Sequence, residues 1–477
     1  MNPAGSANAN EAIHVSLKKP TKNGPKPYKT FNPRFTYPIF GDDEQIFGYK
    51  NLAVDLRFRA NDMRPFVKIS YSKKFDTIGD TEPTDVEGIL KEVLPAVAFG
   101  TEEDFVEGSK QLSPTWKPPG KLHSTLPGDD GETYEVWKGS LADPAVKQMI
   151  KRMQILALLF IEGGSTIVDD ADSRPNPTDP RWTVFFLFRR DKETEDPRTT
   201  YTFIGYSTIF RFFYMSKEDI TPASTRPDQE LLPSGEFDLA QVPCRSRLSQ
   251  FLILPPFQNA GNGARLYETI FDYYYHHAPT KVLTVEDPNE AFDDLRDVCD
   301  LAFLRTLPGF SALRLREEYQ VPKKGIVKRD FLDLEAIGRL LKQSKMSERQ
   351  FMRCVEMQLM STLPASVRPS IPERGVSAKK PKATPADKHL YELWRLWVKM
   401  RLYVHNKDAL GELEQGERIE KLDETLGGVE FEYVRLLSIC DRRAKKGGKG
   451  VPKRKAGEVE GAEGSSSKRA RVEDLSE

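Results

Sequence analysis

The 477-residue chain balances 71 Lys+Arg against 71 Asp+Glu, is 38% hydrophobic and 30% charged, and carries only 4 Cys. That length and apolar content predict two or three domains, and no run approaches the roughly 18 apolar residues of a membrane-spanning helix. Globally neutral charge argues against a body coated for nucleic acid. The scattered Cys244, Cys299, Cys354 and Cys440 argue against a disulfide framework or zinc site, and Met1–Asn10 lacks the basic start and apolar core of a secretory signal.

Residues 1–30 are polar and rich in Pro and Lys (Lys18-Lys19-Pro20, Pro25-Lys26-Pro27) and read as a loose tail. From Phe31 to Ser72, alternating apolar residues predict short strands broken by the Gly41-Asp42-Asp43-Glu44 turn. They open a mixed α+β N-terminal domain taken as 31–140. Asp143-Pro144 supplies an N-cap and a first-turn proline for a helix to about Phe160, with Val146, Met149, Ile150, Met153, Ile155, Leu156 and Leu159 at helical spacing. After a Pro/Asp loop, Asp169 to Pro180, come two β-branched and aromatic strands, Trp182–Phe188 and Tyr201–Tyr214, joined as a hairpin by an acidic loop.

A polar, Pro-rich excursion covers about 216–245. The strand Leu248–Leu254 follows and ends at Pro255-Pro256, because proline cannot donate to a ladder. A helix from near Gly261 to His277, a strand Lys281–Val285 and a helix Glu290–Leu304 complete an α/β series with a βαβ crossover, a central domain over 141–320. Beyond Val321 the pattern is helical: Phe331–Leu341, then Phe351–Leu363, a linker near 366–385, and a helix around Leu390–Tyr403. Trp394, Trp397, Met400 and Tyr403 on that last helix read as core. This gives a helical C-terminal domain over 321–440.

Residues 441–477 hold 11 Lys+Arg and 7 Asp+Glu, net +4, which leaves the rest of the chain at −4. Lys453-Arg454-Lys455 and Lys468-Arg469-Ala470-Arg471 lie in a Gly/Ser/Glu-rich segment expected to be disordered. It reads as a solvated tail, a bipartite nuclear import signal, or a nucleic-acid contact. A mildly acidic body suits a basic partner.

The segment from Phe251 to Ala264 carries the most specific signal. A strand runs into a glycine-containing loop that opens a helix, so free backbone N–H groups converge with the positive end of the helix dipole behind them. That is a cradle for a pyrophosphate. A P-loop would need Gly-Lys-Ser/Thr where Gly263-Ala264-Arg265 stands. A Rossmann fingerprint would need Gly or Ala at Leu266, although spacing to an acidic residue does not exclude it. Gln258, Gly261 and Gly263 satisfy the Gln/Arg-x-x-Gly-x-Gly/Ala acetyl-CoA loop of GCN5-related N-acetyltransferases, and a plain structural turn also stays open. Glu286-Asp287, at a strand end beside that helix, fits either a catalytic carboxylate pair or the start of the next helix. The six His show no catalytic or metal cluster, and His276-His277 at a helix end suits terminal carbonyls.

The flanks extend the match. "LSQFLILPPFQNAGNGARLYETIFDYYY", "LTVEDPNEAFDDLRD", "FGDDEQIFGYKNLAVDLRF", "FIEGGS" and "FIGYSTIFRFFY" together resemble the catalytic subunit of type B histone acetyltransferases, over about residues 10–320. The resemblance implies a GCN5-related N-acetyltransferase fold in the central domain and acetyl-CoA as co-substrate, with no metal. It assigns general-base work to Glu286, with Glu162 and Asp287 as neighbouring acids. It places the coenzyme against Phe251, Leu252 and Ile253, against Gln258, Asn259, Ala260, Gly261, Asn262, Gly263 and Ala264, and against Asn289. It gives Asp42, Asp43, Glu44, Phe210, Arg211 and Phe212 to the histone H4 tail. The implied partners are histone H4, with H3 in a complex, and a WD40-repeat histone-binding subunit, with neither a membrane nor direct nucleic-acid contact. The implied location is cytoplasmic and nuclear. Two other functions stay open: an acetyltransferase for another amine, and a histone-binding escort with incidental or no catalysis.

Overall fold

The computed structural model describes residues 5–76, 82–128, 131–168, 179–191, 194–213, 242–322, 329–370 and 381–446. Most of the loop before Trp182, most of the 216–245 excursion, the middle of the 366–385 linker and nearly all of the basic tail lie outside them.

The N-terminal elements are β1 (Ser6–Asn8), α1 (Ala9–Ala12), β2 (Ile13–Lys19), β3 (Lys26–Phe31), α2 (Tyr37–Phe40), β4 (Gln45–Phe47), β5 (Tyr49–Lys50), β6 (Ala53–Arg59), β7 (Pro65–Ser70), β8 (Lys73–Lys74), α3 (Val86–Val93) and α4 (Glu102–Lys110). Residues 5–30 are therefore not a loose tail. β2 is an inner strand of a four-stranded sheet ordered β3-β2-β6-β7, and Val15 and Leu17 are fully buried. The Ile13-His14-Val15-Ser16-Leu17 alternation outweighs the local Pro and Lys content because it lies against β6 in parallel register.

A six-stranded sheet ordered β14-β13-β12-β11-β10-β9 forms the centre. It contains β9 (Lys121–Pro127), β10 (Thr133–Ser140), β11 (Trp182–Arg190), β12 (Tyr201–Phe213), β13 (Cys244–Ile253) and β14 (Thr280–Val285). The β9–β10 hairpin was not legible in sequence: β9 is a polar edge strand, exposed at Lys121, Leu122 and His123. Val184–Phe188 of β11 are buried without alternation, the mark of an inner strand covered on both faces. The helix expected over 144–160 is two, α5 (Pro144–Met153) and α6 (Ile155–Phe160). They part at buried Gln154, whose side chain exchanges two hydrogen bonds with the backbone of Val168 (2.9 and 3.2 Å).

Helix α7 (Asn262–His276) crosses between the parallel strands β13 and β14, and α8 (Glu290–Leu304) and α9 (Pro308–Ser311) follow. The C-terminal helices are α10 (Leu334–Ser344), α11 (Glu348–Thr362), α12 (Pro385–His405), α13 (Lys407–Gly411) and α14 (Gln415–Lys446). Residues 441–446, assigned to the tail from sequence, finish this 32-residue helix. Trp394 and Trp397 are buried as core, Met400 is half-buried and Tyr403, read as core, is exposed; the Trp394 indole donates to the Glu356 carbonyl at 3.0 Å. Buried side chains from Ala9 to Cys440 form one apolar cluster. Among the described residues no helix is long and apolar enough to cross a membrane.

Candidate active site

The site begins where two parallel strands part. β13 pairs with β14 from Cys244↔Thr280 to Leu248↔Val285, and the Glu286 N–H donates to the Leu248 carbonyl at 2.9 Å. On its other side β13 stays paired with β12 out to Ile253↔Gly205. Ser249–Ile253 therefore has a strand neighbour on one side only. Gln250 and Leu254 turn their N–H groups toward β12, onto Thr208 Oγ1 (3.2 Å) and the Ile204 carbonyl (2.9 Å). Strand alternation then aims the N–H groups of Phe251 and Ile253 at the open side. The close pairing rests on Gly205, where a Cβ would stand 2.3 Å from the Leu252 carbonyl oxygen.

Above this gap the chain turns through a 3₁₀ turn, Pro255–Phe257, into α7. Asn259 (φ 60°) and Gly261 (φ 76°) both adopt the left-handed conformation. Side chains brace the loop from behind: Gln258 Nε2 donates to the Ile253 carbonyl (2.8 Å), Asn262 Nδ2 to the Phe257 carbonyl (2.9 Å), and Arg265 Nη1 to the Ala260 carbonyl (2.7 Å). None of the N–H groups from Asn259 to Ala264 finds an acceptor among the described residues. Gln258–Gly261 are exposed. Such a turn can receive an anion, and it adjoins the open edge of β13. Phe292 and Leu295 of α8 wall the gap, with the Phe292 ring edge-on to Phe251 at 4.9 Å and Leu295 Cδ2 3.1 Å from where a Cβ on Gly263 would stand.

The carboxylates are placed unequally. Glu286, half-buried at the fork, is held by Arg247 of β13 (Nη2 to Oε1, 2.8 Å). Arg247 in turn lies over the Phe212 ring at 4.6 Å, and Phe210 packs on Phe212 at 4.9 Å. Glu162 is exposed on the loop after α6. That loop is fastened to β13 by Gln250 Nε2 on the Ser165 carbonyl (2.6 Å), and Gln250 Oε1 accepts from buried Tyr206 (3.2 Å). The Gly163 N–H donates to the Tyr37 hydroxyl (2.9 Å), which brings the acidic turn after α2 to the same loop. Asp287 is exposed at φ 34°, and Asn289 is the N-cap of α8, its Oδ1 accepting from the Phe292 N–H at 2.9 Å.

Two of the residues expected to contact peptide also have structural work. Glu44 accepts from the Thr36 and Tyr37 N–H groups (2.5 and 3.1 Å) and from Asn10 Nδ2 (2.7 Å). These bonds, chiefly the Thr36 N–H, hold its carboxyl below the usual range and leave Asp42 and Asp43 as the exposed acids of the turn. Arg211 Nη2 donates to the Pro180 carbonyl (3.0 Å) and its own carbonyl accepts from Arg181 Nε (3.0 Å), so it ties β12 to the turn at 179–181. Arg247 is the residue that sequence reasoning missed. Its signal was available, since Arg245 and Arg247 put two charges on one face of β13. At the end of α7, His276 Nδ1 lies 2.9 Å from the Asp272 carbonyl, a helix-terminal carbonyl as expected. Among the described residues no group of three or more His, Cys, Asp or Glu could hold a metal ion.

Known proteins are similar in sequence to this chain. Residues 5–162 match a family model described as the histone acetyl transferase HAT1 N-terminus. A histone acetyltransferase type B catalytic subunit of Gibberella zeae is 51% identical over 476 residues, 98% of each chain. One from Pyricularia oryzae is 46% identical over 470 residues, again 98% of each. Among solved structures, an aminoglycoside acetyltransferase from an uncultured soil metagenomic sample overlaps 41% of this chain at 12% identity with a TM-score of 0.19, too slight a likeness to bear on the fold. The relatives make this chain an acetyltransferase. It belongs to the family of histone acetyltransferase type B catalytic subunits.

Proposed function

We propose that this chain transfers acetyl from acetyl-CoA to N-terminal tail lysines of free, newly synthesised histone H4, with Glu286 as general base. One observation carries the reading: the fork between β13 and β14 places a one-sided strand edge, an orphaned N–H cradle and a half-buried carboxylate in immediate succession. That arrangement is the one expected of a GCN5-related N-acetyltransferase fold.

The cradle from Gln258 to Ala264 fits a pyrophosphate, and the free edge of Phe251–Ile253 fits an extended amide-bearing arm that adds as a strand. When bound, acetyl-CoA supplies an acetyl group activated as a thioester. The chain does the rest. N–H groups of Phe251 and Ile253 present donors to a carbonyl oxygen lying along the edge. A lysine amine, with an unperturbed pKa of about 10.4, must lose a proton to attack the thioester carbonyl, whose C–S bond then breaks with CoA leaving as the thiolate. Glu286 accepts that proton, and Arg247 fixes the carboxylate's orientation by engaging one of its oxygens. Glu162 and Asp287 are secondary acids near the fork. Asp42 and Asp43 pair with basic tail residues, and the Phe210–Phe212 edge holds the extended peptide. The reading extends to H3 as part of the substrate complex, a WD40-repeat histone-binding subunit as partner, and residence in both cytoplasm and nucleus.

Purified chain incubated with acetyl-CoA and free H4 should yield acetyl-lysine confined to the H4 N-terminal tail, read by mass spectrometry. Protein that binds CoA by calorimetry yet transfers nothing to H4 would overturn the reading.

A further inference from the structure

The C-terminal helix α14 reaches both helices that frame the donor cleft. Arg435 forms a two-pronged ion pair with Asp294 of α8, Nη1 to Oδ2 at 2.6 Å and Nη2 to Oδ1 at 2.5 Å. Two turns further on, Arg443 donates to Glu268 of α7 (2.8 Å) and to Cys299 Sγ of α8 (3.2 Å). About one turn before Arg435, Glu432 of α14 shares Arg353 of α11 with Asp297 of α8, at 2.8 and 2.6 Å, and Asp297 is fully buried.

These contacts land behind the residues that shape the cleft. Asp294 directly precedes Leu295, the wall against Gly263, and follows Phe292, the wall against Phe251, by two positions. Glu268 lies just beyond the first turn of α7, whose N-terminus forms the cradle. α7 and α8 also meet directly, through the Tyr267 hydroxyl on Asp300 (2.8 Å), the Tyr267–Phe292 ring contact (5.8 Å), and Phe271 and Tyr275 on Phe303 (4.8 and 4.9 Å) toward the far end of the pair. Arginine forks have fixed geometry, so they set a spacing more sharply than apolar packing does.

We propose that α14 is a clasp on the donor cleft: Arg435 and Arg443 are positioning residues that hold α8 and α7 at the separation acetyl-CoA requires. The last helix thereby sets coenzyme affinity through the cleft walls. This rests on the donor site assigned above. The pairs are partly exposed, so their contribution to global stability is small, and their effect falls on the alignment of two helices.

The test uses the full chain with Arg435→Ala and Arg443→Ala combined, CoA binding by calorimetry without peptide, and steady-state kinetics with H4 peptide. The Kd for CoA and the KM for acetyl-CoA should each rise about ten-fold, while kcat at saturation and the KM for peptide stay within about two-fold. Joining Arg435→Asp to Asp294→Arg should recover most of the affinity lost by Arg435→Asp alone. Should the double variant melt early, Arg435→Gln alone carries the measurement, with a rise of about three-fold expected. Unchanged CoA affinity in folded variants, or a loss confined to kcat or to peptide KM, overturns the clasp and leaves the donor site standing. Wild-type protein that binds no CoA overturns both.

Discussion

Gly261→Val strikes the cradle at its most constrained point. Gly261 sits at φ 76° and ψ 1°, the left-handed conformation immediately before α7. An L side chain there costs about 1–2 kcal/mol, and a β-branched one falls at the upper end. The steric term is smaller, because the new Cβ would stand 3.4 Å from Arg265 Nη1, the far end of a side chain that can retreat. Retreat breaks the Arg265 bond to the Ala260 carbonyl, one of the braces on the loop. Either the strain is retained or the loop relaxes and its N–H groups no longer converge. At 1.4 kcal/mol per decade, the expected loss of CoA affinity is roughly 10- to 30-fold, not abolition. Because Gln258–Gly261 are exposed, the cost stays local and the melting temperature should fall by only a few degrees. Calorimetric titration of CoA into wild-type and variant protein reads the effect directly. Wild-type affinity in a folded Gly261→Val protein would refute the cradle.

Two further outcomes follow from the acidic turn. Lysine at both Asp42 and Asp43 should raise the KM for H4 peptide about three- to ten-fold at low salt and much less at high salt, with the fold intact because both side chains are exposed. Salt-independent or unchanged KM would take that turn out of the peptide site. Glu44→Gln should instead lower the melting temperature and leave peptide KM nearly alone. The folded protein depresses the Glu44 pKa, so its stabilisation is complete above the unfolded value near 4.5 and disappears as pH falls through the lower folded value. The melting gap between wild type and variant should therefore be full at neutral pH and shrink progressively as pH falls below the unfolded value near 4.5. A gap that persists in acid would mean the hydrogen bonds, not the charge, matter.

The central sheet was readable because its signals are local. Trp182–Phe188 and Tyr201–Tyr214 are dense in β-branched and aromatic residues, and Pro255-Pro256 and Asn289 mark the end of β13 and the start of α8. The helix at Glu290–Leu304 is found at those residues. What was not readable depends on distant partners. The Ile13–Leu17 alternation is short and surrounded by Pro and Lys, and it becomes a strand because β6 receives it. The β9–β10 hairpin carries a polar edge and too few apolar residues to stand out. α14 spans 32 residues whose burial is set by α8, α11 and α12, so its sequence shows little beyond charge and occasional Leu, Tyr and Val.

The site divides the same way. The cradle is contiguous in sequence, so its glycines and Gln258 announce it. Glu286 stands out because it ends a strand, but its partner Arg247 lies on β13 and meets it only when β14 docks in parallel. Glu44 looked like one of three equivalent acids. Its commitment to Thr36, Tyr37 and Asn10 arises from a backbone turn that sequence does not display.

The most direct test is the turnover of Glu286→Gln with both substrates saturating. The amide keeps the size of the side chain and an oxygen for Arg247 while removing the proton acceptor, and a partly exposed ion pair contributes at most about 1 kcal/mol to stability. Acetyl transfer to free H4 should fall about 10²- to 10⁴-fold with CoA affinity and melting temperature nearly unchanged. Turnover at the wild-type rate would contradict Glu286 as the base.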